Sequence, residues 1–391
     1  VADLVRYVNE SPLNKATKGV FKNMVGEGFG KLDLSLRIPL SNRKNTQVNG
    51  VINLAGSSLN ITDRAPEFKD FETLVEFNKR AMTIRAGQAR IFDSQTTFAS
   101  QPVERGLGRV EFESDVSAKA FMDYLRFPIE LSGQIKSSGV LEFRPDELKM
   151  DLSLGLERLV AELPSPLDRL DGMTQPLKVG YVSKKSGLRE ITFSSSNSKV
   201  ANFVFFNRNL VRGTINSANF VEDNVLLIGG KIPQLDVDGW RHFFDKRKKE
   251  GLSGFSPMTV LVDAQIDRVD VFGYAYDNVK VNGQFLKNDG LFSINSEKAS
   301  GKIAFSGYGT DQAKLSAYMT RLAMARSGSR QQLVTKKGEV DLPLIAIDAV
   351  IDEFELDGFR RGAVTFQATP SNGRWDISEL STITDVGTLT M

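Results

Sequence analysis

Few residues in this chain are of a type that could do chemistry. There is no cysteine and a single histidine, His242. Disulfides, thiolate metal sites and thiol nucleophiles are thereby excluded. A histidine-based metal site needs partner ligands that one imidazole does not supply. His242 stands in Trp240-Arg241-His242-Phe243-Phe244 and reads as a helix-surface or packing residue. A Ser-His-Asp arrangement is open by count, but no Gly-x-Ser-x-Gly turn follows a strand. Asp267, Asp270, Asp348, Asp352 and Glu353 alternate along strand-like segments. Paired acids can serve glycoside hydrolysis, but the solvent face of a strand places acids the same way, and that reading is preferred. Gly26-x-Gly28-x-Gly30 has the spacing of a phosphate loop. It follows a helical segment and precedes a strand, the reverse of the order that aims a helix N-terminus at phosphate, so it reads as a helix stop. Lys246-Arg247-Lys248-Lys249 could meet acidic headgroups or complement a helix C-terminus, and the second reading is preferred. Trp240, Phe243 and Phe244 could touch lipid or anchor a short helix on a sheet; anchoring is preferred. The expectation is a non-enzymatic chain with no catalytic residue, metal or cofactor.

The elements around these residues are mostly strands. From Lys31 to Leu40, Leu32, Leu34, Leu36, Ile38 and Leu40 alternate with Lys31, Asp33, Ser35, Arg37 and Pro39, which gives one oily face and one wet face. The pattern recurs at Gln47–Leu54, Glu72–Asn78, Met82–Phe92, Gly108–Ser114, Gln134–Arg144, Glu147–Leu156, Leu177–Lys184, Leu188–Ser195 and onward to the C-terminus. Helices are expected at Ser11–Val25, at Ser117–Leu125, from a cap at Asp236 or Asp238 to about Lys249, and at Gln312–Met324, with a short turn at Asp3–Val8. Leu159–Met173 reads as a packed loop or short helix, and Ser327-Gly328-Ser329-Arg330 as a linker. Val262-Asp263-Ala264-Gln265-Ile266-Asp267 matches Ile347-Asp348-Ala349-Val350-Ile351-Asp352 at an offset of 348 − 263 = 85, which reads as a repeat.

Composition bounds the rest. The chain has 391 residues, 41% hydrophobic and 25% charged, so a folded protein of two or three units is expected. The expected segments are 1–115, 116–250 and 251–391. Lys plus Arg number 50 and Asp plus Glu 48, which offers no electrostatic reason to bind nucleic acid. Phe numbers 26 against 7 Tyr and 2 Trp, an excess suited to surfaces buried against apolar material. No apolar run is long enough to span a bilayer as a helix. The chain starts at Val1 and ends at Thr390-Met391 within strand-like sequence, and is read as a piece of a longer protein whose targeting signals lie outside it.

Four segments resemble the YhdP branch of the AsmA-like, TamB-related bridge-like lipid transfer proteins. The first is Ser11-Pro12-Leu13 with Leu32-x-Leu34-x-Leu36-x-Ile38-Pro39-Leu40. The second is Val48-Asn49-Gly50-Val51-Ile52-x-Leu54 with Ser58-Leu59-x-Ile61, ahead of Pro66 and Phe68. The third is Leu152-x-Leu154-Gly155-Leu156, Leu163-Pro164-x-Pro166-Leu167 and Pro176-Leu177. The fourth is Leu235-Asp236-Val237-Asp238-Gly239-Trp240, followed by the repeat. The polar stretch Lys184–Lys199 departs from the family's pattern. The resemblance implies a periplasmic envelope protein, anchored to the inner membrane in the full-length chain. It also implies a long curved β-sheet folded like a taco around an apolar groove, implicated in moving phospholipid towards the outer membrane.

The expected fold is therefore mainly β, an elongated, curved antiparallel sheet groove with a few short helices. The expected groove lining is Leu32, Leu34, Leu36 and Ile38; Leu148, Met150, Leu152 and Leu154; Val260, Val262, Ala264 and Ile266; and Ile345, Ile347, Ala349 and Ile351. Phospholipid is the expected ligand, with both membranes and envelope proteins as partners. A charge at Leu34 or Ile266 is expected to block transfer without unfolding. The alternatives are a structural or scaffold β protein of the envelope and, ranked lower, a polysaccharide-acting enzyme using Asp267, Asp352 and Glu353. Periodicity alone does not separate a closed sandwich from an open trough.

Overall fold

The computed structural model describes residues 1–10, 25–39, 47–60, 67–78, 82–100, 108–125, 131–143, 146–168, 175–195, 198–207, 209–219, 221–248, 258–325, 345–371, 374–384 and 387–390. The expected helix over 11–24 and the 327–330 linker lie outside them. The chain divides into two units: Val1–Glu162 with Arg169–Ser198 and Val204–Asn207, and Leu163–Asp168 with Lys199–Phe203 and Arg208–Met391. Each is built chiefly from one-faced strands.

The first unit opens with α1 (Ala2–Glu10), a helix where a short turn was expected. Strands β1 (Val25–Arg37), β2 (Gln47–Asn60), β3 (Phe68–Asn78), β4 (Met82–Ile91), β5 (Ser94–Ser100) and β6 (Gly108–Ser117) follow. Helix α2 (Ala118–Leu125) precedes β7 (Leu131–Phe143), β8 (Glu147–Gly155), β9 (Leu159–Ala161), β10 (Leu177–Lys184) and β11 (Leu188–Ser195). Pairing is antiparallel throughout, in the order β1-β2-β3-β4-β5-β6-β7-β8-β10-β11, with β9 added to the start of β7. Ser117 caps α2 as expected, its Oγ accepting from the Ala120 amide at 3.4 Å. Within the polar stretch after Lys184, Arg189–Ser194 pair with β10 without a register shift, Lys178 with Ser194 through Ser183 with Arg189.

The glycine triplet does not stop a helix. Gly26, Gly28 and Gly30 lie inside β1, and the register shifts between Glu27 and Phe29. Gly28 takes φ +99 there, and an added Cβ would stand 2.9 Å from the Ser57 Cα. The bulge needs glycine because it lets the backbone meet Ser57, whose Oγ donates to the Phe29 carbonyl at 3.0 Å.

Strand β12 (Ser198–Phe206) divides its residues between the units. The second unit contains β13 (Asn209–Ile215), β14 (Val225–Asp236), α3 (Val237–Lys248), β15 (Thr259–Val271), β16 (Tyr274–Leu286), β17 (Asp289–Asn295), β18 (Ala299–Ser306) and β19 (Lys314–Met324). It ends with β20 (Ala346–Leu356), β21 (Phe359–Ser371), β22 (Arg374–Thr384) and β23 (Gly387–Thr390). Most neighbours are antiparallel, but β13–β14, β14–β15 and β19–β20 run parallel, which corrects the purely antiparallel expectation. Parallel neighbours need a long crossover in place of a tight turn, and the long interruptions after Asp236 and after Met324 provide two.

The expected helix at Gln312–Met324 is strand β19. Leu315, Ala317 and Met319 alternate onto one face, and the register then slips, Gly301 facing Met319 while Ser300 faces Arg321. This bulge shifts the strand's phase. Leu315, Met319 and Leu322 consequently fall at i, i+4 and i+7, the spacing of a helix face.

The repeat holds in register as well as in sequence. Ala264 faces Val281, Ile266 faces Val279 and Val271 faces Tyr274. Each partner moved by 85 gives an observed pair: Ala349 with Phe366, Ile351 with Val364, Leu356 with Phe359. The turns repeat too, with positive φ at Phe272-Gly273 and at Asp357-Gly358.

Candidate functional site

Side chains on paired strand residues share a face, so register defines which residues form a surface. In the second unit three apolar rows cross β14 to β22 without a charged residue. One reads Leu226, Val260, Phe285, Gly290, Phe305, Leu315, Ile347, Ala368, Ile377. The next reads Ile228, Val262, Gly283, Phe292, Ile303, Ala317, Ala349, Phe366, Leu380. The third reads Gly230, Ala264, Val281, Ile294, Gly301, Met319, Ile351, Val364, Thr382. The alternate residues are largely polar, among them Asp263, Asn282, Lys302 and Asp348.

Depth varies along this face. Val260, Val262, Ile347 and Ala349 are half-buried, and so are Phe292, Ile303, Ala317 and Phe366. Burial is greatest around Ile266 at 3% exposure, Val279, Tyr276, Met319 and Ile351, where Leu235 near the end of β14 and Val237 at the start of α3 pack against the cluster. Burial pushes the Tyr276 phenol up to about 12. Helix α3 is held there by its cap and its indole. The Asp236 Oδ1 accepts from the Gly239 amide at 2.8 Å, and the Trp240 Nε1 donates to the Ser165 carbonyl at 2.8 Å. The Trp240 and Phe243 rings meet edge to face at 5.2 Å, which makes the aromatic cluster an anchor. His242 is exposed on α3. The Phe244 side chain and the basic run 246–249 fall outside the described side chains.

The same register logic in the first unit joins Leu54, Thr73, Gly87, Phe98, Phe112, Gly139, Leu152, Val179 and Phe193 into one row. Leu32 and Leu34 lie on that face beside Ile52 and Gly50 and are half-buried. Leu36 and Ile38, at its margin, are 53% and 55% exposed. Leu148, Met150, Leu152 and Leu154 share the face and are half-buried. The structure therefore brings the first two expected sets together in one unit, and the last two in the other. Ile345 stands just before β20, its carbonyl accepting from the Trp375 Nε1 at 2.9 Å. Ile266 is packed too deeply for a surface role, so the expectation that a charge there spares the fold is revised.

A recurring contact uses five of the phenylalanines. Phe77 faces Gly50, Phe98 faces Gly87, Phe112 faces Gly139, Phe285 faces Gly290 and Phe292 faces Gly283. In every pair a Cβ on the glycine would press into the facing ring. Each ring lies over the bare backbone of its neighbour and seals it. The individual pairs were not foreseen, although the surplus of Phe and the glycines inside strands were the available signal.

A cleft of about 1560 Å³ lies in the first unit and crosses nine strands from β2 to β11. Its floor is the backbone of the row just described. Its walls carry the alternate side chains, including Glu72, Gln88, Thr97, Glu111, Glu113 and Asp151. It therefore opens on the polar face, opposite the expected apolar lining. A smaller cleft of about 650 Å³ near Leu34 and Asn49 is built the same way.

The carboxylates singled out in the sequence do not assemble into a catalytic pair. Asp267 pairs with Lys231 at 3.3 Å, Asp348 with Lys314 at 3.0 Å, and Asp270 with Arg268 at 2.9 Å. Asp352 and Glu353 are exposed. Among the described residues no cluster of His, Asp and Glu could hold a metal ion, and no helix is long and apolar enough to cross a membrane.

Comparison with curated proteins and with solved structures returned no match. The family model described as YhdP protein matches residues 1–391. With the AsmA-like strand segments set in the expected order and the match running the whole length, the chain belongs to the YhdP family.

Proposed function

We propose that this chain transports lipid and catalyses no reaction. It shelters phospholipid acyl chains on its apolar sheet face, leaves the headgroups in water, and conducts them across the periplasm between inner and outer membrane. The observation that carries the reading is the set of apolar rows in the second unit, of which the row from Ile228 to Leu380 is half-exposed along its whole length, on a sheet whose other face is largely polar. Membership of the YhdP family supports lipid transport at the family level. In this reading the sheet curls into a taco-like groove, and the full-length protein is anchored in the inner membrane. Burial of each methylene contributes about 0.8 kcal/mol. Because the rows offer many similar apolar places, a chain can shift from one to the next without leaving a deep well. No cofactor is required.

The test is photo-crosslinking from single positions on the two faces, in protein purified from bacterial envelopes without detergent. Benzophenone side chains at Val262, Ala317 and Ala349 are expected to yield phospholipid adducts by mass spectrometry. The same probes at Asp263, Ser316 and Asp348, one residue away on the polar face, are expected to yield none. A folded protein with a lipid-free native mass and no adduct at either set would overturn the reading and favour an envelope scaffold.

A further inference from the structure

The cleft in the first unit lies on the face opposite its apolar row, and its charge balance selects an occupant of its own. Its walls carry five carboxylates, Glu72, Glu111, Glu113, Asp151 and Glu190, against two ammonium groups, Lys149 and Lys178. The remaining wall mixes hydroxyls and amides such as Ser138, Thr192 and Asn53 with the aliphatic side chains of Ala55, Ala99, Val140 and Val182. Phe98 and Phe112 contribute from the floor, with their rings on the opposite face, so the cleft offers no platform for stacking a sugar or a base. Its negative balance opposes phosphate-bearing ligands.

We propose that this cleft docks an extended polypeptide segment rich in Lys and Arg, supplied by a partner protein. Nine strands set about 4.8 Å apart give a floor of roughly 38 Å, which an extended chain covers in about 12 residues. Hydroxyls and amides along the walls can meet the backbone groups of such a chain, and the carboxylates its side chains. Three of the carboxylates are held in exposed contacts of the kind that exchange readily. Glu72 accepts from the Gln88 Nε2 at 2.6 Å, Glu111 pairs with Arg109 at 3.4 Å, and Asp151 pairs with Lys149 at 2.7 Å. Polar-face docking leaves the apolar face free, so it does not depend on what that face carries.

The experiment uses the intact chain and a fluorescent peptide of about 12 residues alternating Lys and Ser, matched by a Glu-Ser peptide, read by fluorescence anisotropy. The Lys peptide is expected to bind at low ionic strength and to weaken as salt screens the carboxylates. The Glu113→Gln/Glu190→Gln double variant is expected to bind about tenfold more weakly with an unchanged circular dichroism melt. Asp263→Asn, on the polar face of the second unit, is expected to bind as the parent does. Equal binding of the two peptides, equal affinity of parent and double variant, or no binding by folded protein at low ionic strength would each overturn the proposal.

Discussion

The two units use the same one-faced strand and treat its apolar face differently. In the first, the face is crossed by a seam of buried hydroxyls at Thr73, Thr96, Ser114 and Ser137. They satisfy one another and the backbone. The Thr96 Oγ1 donates to the Ser114 Oγ at 2.8 Å, the Ser137 Oγ to the Ser114 carbonyl at 3.2 Å, and the Thr73 Oγ1 to the Ala86 carbonyl at 3.2 Å. At the end of that seam Ala118 of α2 packs with Ile135, Leu156 and Leu159 into a small closed core. In the second unit the rows run on through Val, Ile, Phe and Ala, and Tyr276 is the hydroxyl buried at their deep end. A buried hydroxyl is tolerated where a partner stands opposite it, and it fixes register there. An unbroken apolar row fixes register less tightly and presents a uniform surface. The first arrangement suits holding a shape, and the second suits a mobile apolar guest.

The largest effect that would sharpen this contrast is a charge placed at two depths of the second unit. Ile266→Asp buries an unpaired carboxylate and should cost about 4 kcal/mol, seen as a large drop in the urea midpoint. Ala349→Asp, half-buried on the same face, should shift that midpoint far less while abolishing lipid adducts. Equal destabilisation by the two would mean that the rows form a closed core, and the contrast between units would fail. A middle-sized effect is expected from the sealed glycines. Gly87→Val in the first unit and Gly283→Val in the second each drive a side chain into the facing ring, at a cost of about 1–3 kcal/mol by thermal melting. A negligible shift in one unit alone would show that its rings are already loose.

The smallest effect concerns pH. The folded state holds Tyr276 neutral up to about 12, whereas the unfolded chain releases the proton near the ordinary tyrosine value of about 10. A raised folded value means the stabilisation is complete below pH 10 and is lost as pH climbs from there through 12. Tyr276→Phe should therefore flatten the alkaline loss of stability in that window and leave neutral pH behaviour nearly unchanged. An identical alkaline profile in the variant would remove this residue from the account.

Much of the architecture was legible from residues. The alternation at Lys31–Arg37, the caps at Ser117 and Asp236 and the 85-residue repeat are local patterns, and they persist in the fold. The sets expected to line a groove were legible as one-faced strands, and register places them on common surfaces within each unit. Strand β19 was misread because one bulge converts a two-residue period into a helical one. The glycine triplet was misread because its role depends on Ser57, a residue 29 positions beyond Gly28. The polar cleft could not be seen, since it gathers residues from β2 to β11 that no short window contains.

By itself the sequence determined the lack of cysteine and the single histidine, the one-sided character of the strands, the repeat and the family. Those properties reside in residue types and in a period of two, which a strand displays whatever lies beside it. Only the tertiary structure decided which neighbours run parallel, where registers slip, which glycine lies beneath which ring, and that Ile266 is packed shut while Ala349, on the same face, stays half-open. Those outcomes depend on the strand alongside. That strand is chosen by the summed burial and hydrogen bonding of a whole face, which no single segment encodes.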